Sequence, residues 1–304
     1  MGSLALLFPG QGSQFVGMGR ALVESSPAAR AVFDEADAAL GFPLSRLCFG
    51  GPEEELKLTA NTQPAILTHS VAALAELSAS SPGKLDGAAF AAGHSLGEYS
   101  ACVAAGALSF SDALRLVRRR GELMQEAVPA GVGAMAAIVG LPAEDVEAAC
   151  REAAQGEVVS AANYNSPEQT VIAGHAGAVE RASSACLSKG AKRAIPLPVS
   201  APFHSPLMRP ARERMEELLA ATPFSDARIP VVTNVDARPV RDGANLRDSL
   251  VRQIDSPVRW VESVRRLAAE GIDRALEIGP GNVLAGLLRR IDPTIHVESW
   301  GGPA

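Results

Sequence analysis

Several kinds of chemistry are excluded by what this chain lacks. Its four cysteines, Cys48, Cys102, Cys150 and Cys186, are widely scattered with no CxxC pair, and its five histidines form no HExxH and no Cys/His ligand cluster. Reduced thiols and no structural metal are therefore expected. No stretch approaches the roughly eighteen consecutive apolar residues of a membrane helix, and the apolar run at the N-terminus has no preceding Lys or Arg of a signal segment. Met1-Gly2 lacks the Ser/Thr at position six that myristoylation prefers, Leu6 standing there. The net charge of −6 gives no reason to expect nucleic acid or an anionic membrane as partner. A soluble, cytoplasmic protein is the expectation. Internal repeats, low-complexity tracts and long linkers are also missing.

Phosphate loops fail on inspection. In Phe8-Pro9-Gly10-Gln11-Gly12-Ser13-Gln14, Gly10 and Gly12 begin a GxGxxG, but Phe15 occupies the third glycine position. Gly12 and Gly17 have P-loop spacing, yet Met18-Gly19 replaces Lys-Ser/Thr.

What is present is ordinary globular chemistry, 47% hydrophobic and 20% charged over 304 residues, enough for a main domain and a smaller one. Apolar runs and helical periodicities alternate from Leu4-Phe8 through the long helix at about 111–127, which predicts a mostly parallel, helix-covered sheet. Between Pro129 and Pro198 the order changes to β-α-β-β-α-β, the ferredoxin-like sequence of elements. The alternation then resumes. The expected organisation is a large α/β domain of residues 1–128 and 199–304 interrupted by a small domain at 129–198.

The most informative stretch is Gly93-His94-Ser95-Leu96-Gly97, placed between the apolar run 88–92 and an unbroken run at 98–105. Strand, tight turn and helix is the context of a nucleophile elbow, in which the serine hydroxyl is held out for attack. A serine N-cap in an ordinary glycine-rich turn is the competing reading. Ser95 needs a base, and His204 is the strongest candidate, since it stands in the irregular segment Val199-Ser200-Ala201-Pro202-Phe203-His204-Ser205-Pro206 where the chain re-enters the large domain. A simple turn histidine is the alternative. His94 should point away from the site, while His69, His175 and His296 read as packing or surface residues. Arg120 falls inside the apolar stripe of its helix, with Leu116, Val117, Leu123 and Met124 around it. A buried guanidinium must be paired, by a substrate carboxylate or by an internal Asp or Glu.

Together with Arg120-Gly121, Gly133-Ala134-Met135, Asn163-Tyr164-Asn165-Ser166-Pro167, Phe203-His204-Ser205 and Glu277-Ile278-Gly279-Pro280-Gly281, the stretches above resemble the malonyl-CoA:acyl carrier protein transacylases of fatty acid synthesis and the acyltransferases of polyketide synthases. The resemblance covers essentially the whole chain. It implies an α/β-hydrolase-like large domain with a ferredoxin-like insertion, and malonyl-CoA and an acyl carrier protein as partners, with no cofactor. It also implies Ser95 as acylated nucleophile, His204 as base and then acid, Arg120 as clamp for the malonyl carboxylate, and the backbone of Gln11 and Leu96 as oxyanion hole. Gln253 matches the position whose main-chain carbonyl orients the histidine, and Phe203 matches the polyketide pattern associated with malonyl; Phe203 also suits a core position. Asn163, Asn165 and Met135 fall in matching motifs without an assigned role. A hydrolase or thioesterase on the same fold, and a noncatalytic carrier-binding module, are the rival readings. Arg181, Lys189, Lys192 and Arg193, in a stretch free of acids, could meet an acidic carrier or form a solvated face.

Overall fold

The first strand, β1 (Ser3–Phe8), explains the architecture. Its side chains alternate between two core layers: Leu4, Leu6 and Phe8 pack into one, Ala5 and Leu7 into the other. A strand buried on both faces needs an apolar residue at every position, which is why this run is continuous. The computed structural model describes residues 3–199 and 201–301. Met1-Gly2, Ser200 and residues 302–304, on which parts of the expectations above fall, lie outside the described residues.

β1 lies inside a six-stranded sheet with β2 (Ala88–Gly93), β7 (Val231–Val232), β8 (Pro239–Val240), β9 (Ile272–Ile278) and β10 (His296–Trp300). The order is β10-β9-β1-β2-β7-β8, parallel throughout except for the terminal β7–β8 pair. A second sheet, entirely antiparallel, contains β3 (Gly133–Val139), β4 (Val159–Ser166), β5 (Gln169–His175) and β6 (Arg193–Pro196) in the order β4-β5-β3-β6. Its faces also alternate: Ala136 and Ile138 pack under the helices Ala143–Ala154 and Ala176–Ser188, whereas Met135 and Ala137 join the core of the large sheet. The second sheet thus roofs the strand ends of the first. The protein is mixed α/β with a mostly parallel sheet, as the alternation predicts.

Two helices carry the site. Phe110–Glu126 is capped by Ser109, whose Oγ accepts from the Asp112 amide at 3.1 Å. Gly121 lets it approach the helix Thr59–Ser80, since a Cβ there would sit 2.7 Å from the Ala60 backbone. The second helix begins at Thr59 and runs through Pro64, although a proline is ordinarily found in the first turn of a helix. Proline lacks the N–H that would meet the Ala60 carbonyl. Arg118 Nη1 donates to that carbonyl instead, at 3.1 Å, so the extra turn survives and carries Gln63 to the site. The short helices Arg20–Ser25, Leu44–Gly50 and Glu53–Lys57 are additions to the sequence reading.

Candidate active site

The turn between β2 and the helix Gly97–Ala104 leaves no room for side chains at its glycines. A Cβ on Gly93 would lie 1.9 Å from the Gly97 carbonyl group, and one on Gly97 would lie 2.0 Å from the Phe8 carbonyl oxygen. Ser95, between them, has φ 51°, a left-handed conformation that costs a non-glycine residue about 1–3 kcal/mol. The strain projects its hydroxyl into a cleft of about 120 Å³ lined by Gln11, Gln63, Arg120, Met135, Phe203 and His204 among others.

Ser95 Oγ meets two groups there. It donates to His204 Nε2 at 2.7 Å and accepts from Arg120 Nη2 at 3.1 Å. His204 is itself left-handed, at φ 58°, and its Nδ1 donates to the main-chain oxygen of Gln253 at 2.9 Å. A carbonyl accepts only, so the ring proton stays on Nδ1 and Nε2 is free to accept. Burial, followed by the charge of Arg120, pushes His204 down to about 3. The imidazole is neutral.

Arg120 is 1% exposed and sits inside the apolar stripe, as its neighbours predict. Its Nη1 donates to Gln63 Oε1 at 2.8 Å and its Nη2 to Gln253 Oε1 at 2.9 Å, with its guanidinium 5.7 Å from the Tyr99 ring centroid. Among the described residues it forms no ion pair, and its Nε has no partner. The internal carboxylate left open by the sequence is not what holds it. Burial lowers its pKa, against weaker upward pulls from Tyr99 and Glu98. The guanidinium faces the nucleophile with amide and hydroxyl oxygens only, an arrangement receptive to a carboxylate on a ligand.

Residues 5–293 match the acyl transferase domain family. The chain belongs to that family. It is 51% identical over 304 residues to the malonyl CoA-acyl carrier protein transacylase of Escherichia coli strain K12, covering 100% of this chain and 97% of that protein. The enzyme of the same name from Bacillus subtilis strain 168 is 52% identical over 306 residues, covering 100% and 95%. The crystal structure of an acyl carrier protein S-malonyltransferase from Vibrio cholerae superposes with TM-score 0.94 at 49% identity, covering 98% of this chain and 96% of that one. A type II PKS acyl-carrier protein in complex with its malonyl-transacylase, PlMCAT:AntF, gives TM-score 0.95 at 47% identity over 99% and 96%. The enzyme is an acyltransferase.

The other sequence candidates divide. Gln11 and Phe203 line the acyltransferase's cleft, and Phe203 also packs in the core. Leu96 caps the elbow helix, and Asn163 and Met135 face the same cleft. His94 does not turn away as expected: it lines the cleft, because Asn165 Oδ1 binds its Nε2 at 2.8 Å and Trp260 stacks edgewise on it at 5.6 Å. His69 is buried and pushed down to about 4 by burial, His175 Nδ1 accepts from the Val158 amide at 2.9 Å, and His296 is exposed beside Glu298. The basic stretch is not a free cationic face. Arg181 pairs with Glu157 at 2.8 Å, Lys189 with Glu152 at 3.1 Å and Lys192 with Glu168 at 3.7 Å, acids supplied by other elements of the small sheet unit.

Gln63, Asn234 and Glu98 are functional-site residues the sequence reading misses. Asn234 Oδ1 accepts from the Ser95 amide at 2.7 Å and its Nδ2 donates to the Gly93 carbonyl at 2.7 Å, tying both ends of the elbow. Glu98 is fully buried; burial pushes it up to about 7, against hydrogen bonds from Asn234 and Gln253 and the charge of Arg120. Among the described residues, no group of three or more His, Cys, Asp or Glu is placed to hold a metal, and no helix is long and apolar enough to cross a membrane.

Proposed function

We propose that the acyltransferase moves a malonyl group from malonyl-CoA to the phosphopantetheine thiol of an acyl carrier protein, in two half-reactions through malonyl-Ser95. The observation that carries this reading is the double engagement of one oxygen. Ser95 Oγ touches a neutral imidazole at 2.7 Å and a buried guanidinium at 3.1 Å, so a base and a carboxylate receptor flank the same nucleophile.

In the first half-reaction His204 Nε2 takes the hydroxyl proton as Ser95 Oγ attacks the thioester carbon. The oxyanion is met by the backbone N–H groups of Gln11 and Leu96, the latter at the positive end of the elbow helix. The carbon–sulfur bond then breaks, and the CoA sulfur leaves with the proton from His204. The second half-reaction is the reverse, with the carrier thiol giving its proton to His204 and attacking the Ser95 ester.

Arg120 grips the malonyl carboxylate. That contact has a second effect, because the carboxylate offsets the positive charge that holds the His204 imidazolium out of reach. The imidazolium then forms more readily with a malonyl than with an acetyl group in the cleft. The Gln253 main-chain oxygen steers the ring without adding a full negative charge, so this offset matters more than it would beside an Asp. Phe203, against the same cleft, disfavours a branch at the α-carbon.

The same reading takes residues 1–128 and 199–304 as an α/β-hydrolase-like large domain and 129–198 as a ferredoxin-like insertion. The parallel sheet between two core layers and the antiparallel order β4-β5-β3-β6 support it. A cytoplasmic setting accords with these substrates and with four free, buried thiols.

Incubation with malonyl-CoA followed by intact mass measurement tests the reading. A malonyl adduct is expected, and Ser95→Ala should abolish it, a loss on the order of 10⁶ in rate for a triad nucleophile. No adduct on the unmodified chain favours a noncatalytic module. Loss of the adduct to water with a phosphopantetheinylated carrier present, and none on the carrier, favours a thioesterase.

A further inference from the structure

The proposed reaction leaves one buried acid of the elbow helix without a task. Glu98 stands in the first turn of Gly97–Ala104 at 0% exposure. Its Oε2 accepts from Gln253 Nε2 at 2.7 Å and from the Asn234 amide at 3.0 Å, while Oε1 has no partner among the described residues. Both partners lead back to the reacting groups. Asn234 ties the Ser95 amide and the Gly93 carbonyl; Gln253 Nε2 also donates to the Ser95 carbonyl at 2.9 Å, and Gln253 Oε1 accepts from Arg120 at 2.9 Å.

The chemistry at Gln253 turns on which way its amide faces. The two ends of a carboxamide are nearly equal in shape, and a half turn exchanges donor for acceptor. Between Glu98 and Arg120 only one orientation satisfies both neighbours: Glu98 Oε2, which already accepts from the Asn234 amide, takes only a donor whether or not Oε1 carries a proton, and a guanidinium donates only. Glu98 therefore selects Nε2, in concert with the Ser95 carbonyl, and leaves Oε1 for Arg120. Turned the other way, the amide would set N–H groups against a guanidinium and a carbonyl against a carboxylate, each unpaired in a buried site.

We propose that Glu98 is a positioning residue for acyl-carboxylate recognition, acting through the Gln253 amide to hold the Arg120 guanidinium in place against Ser95. The proposal rests on the malonyl-transfer reading above and adds a residue to it. Glu98 touches neither substrate nor the reacting atoms; its effect reaches them through one side-chain amide.

The test compares acylation by malonyl-CoA and acetyl-CoA in the full chain and in Glu98→Gln. A glutamine at 98 offers both donor and acceptor, so the orientation at 253 is left to the Ser95 carbonyl and Arg120 alone. The malonyl-CoA concentration for half-maximal acylation should rise roughly tenfold, while that for acetyl-CoA should move less than about twofold. A loosened elbow alone would lower both maximal rates and leave the two concentrations in their original ratio; that result overturns the proposal. Should Glu98→Gln fail to fold, Gln253→Leu carries the test, since it removes the amide and keeps the main-chain oxygen to His204. The same divergence between the two thioesters is expected, and an unchanged ratio overturns the proposal equally. Because the two residues act in series, the double variant should be no worse than the poorer single. A parent chain that takes no malonyl group at all removes the underlying reading and the proposal together; a parent that does, with variants that keep its selectivity, removes the proposal alone.

Discussion

Arg181, Lys189 and Lys192, around the helix Ala176–Ser188, each meet a carboxylate, whereas Arg120, beneath the elbow, meets the oxygens of Gln63, Gln253 and Ser95. The outer cations have side chains 36%, 37% and 70% exposed, where such pairs are worth about 0–1 kcal/mol. They are neutralised at little cost and little gain. The inner one is desolvated, where a lone charge is expensive and an internal acid would be the ordinary remedy. Neutral oxygens instead stabilise it without cancelling its charge. A cation kept in that state retains its attraction for an acid from outside, and the difference between the two regions is the difference between a solvated face and a receptor.

Arg120→Ala breaks the comparison most directly. Malonyl-CoA turnover should fall roughly ten- to a hundredfold more than acetyl-CoA turnover, the worth of a charged hydrogen bond at ~1.5–3 kcal/mol. Equal losses with both thioesters would refute the receptor role. Gln63→Glu tests the converse, by giving Arg120 the internal acid its outer counterparts have. The guanidinium should then be occupied, and KM for malonyl-CoA should rise about tenfold with acetyl-CoA little affected; titration of initial rates decides it.

The pH profile sharpens the contrast further. Neutral His204 is present above its folded pKa of about 3 and is lost as pH falls through it, so kcat/KM for acylation should stay level well below the ordinary imidazole value of 6.5. Arg120→Ala removes the second largest cause of that depression, after burial. It should shift the acid limb upward by about one pH unit. A parent limb already at 6.5, or one indifferent to the substitution, would contradict the electrostatic account. The smallest effect belongs to the outer face: Lys189→Glu with Lys192→Glu should change KM for the carrier protein less than about fivefold, the worth of a surface pair. A larger rise would restore that face as a docking surface.

Much of this was legible in the chain. The continuous apolar run at Leu4-Phe8 announces a strand buried on both faces, the glycines around Ser95 announce the turn, and the apolar neighbours of Arg120 announce its burial. Other features depend on contacts that local pattern does not encode. Gln63 was hidden because Pro64 looks like a helix start, when the freed Ala60 carbonyl is taken by Arg118. Asn234 and Gln253 reach the elbow from residues far away in the chain. The stretch 181–193 reads as basic because its acids, Glu152, Glu157 and Glu168, come from neighbouring elements. The polar residues of 59–70, buried in an otherwise apolar helix, were the one available signal for Gln63.

Ser95 and His204 both adopt left-handed backbone conformations, and a glycine at either position would relieve that tension while removing the reacting group. Thermostabilising evolution monitored by melting temperature alone would drift toward dead but sturdier proteins at these two codons. Any engineering of this scaffold for heat resistance therefore needs an acylation readout in every round of selection.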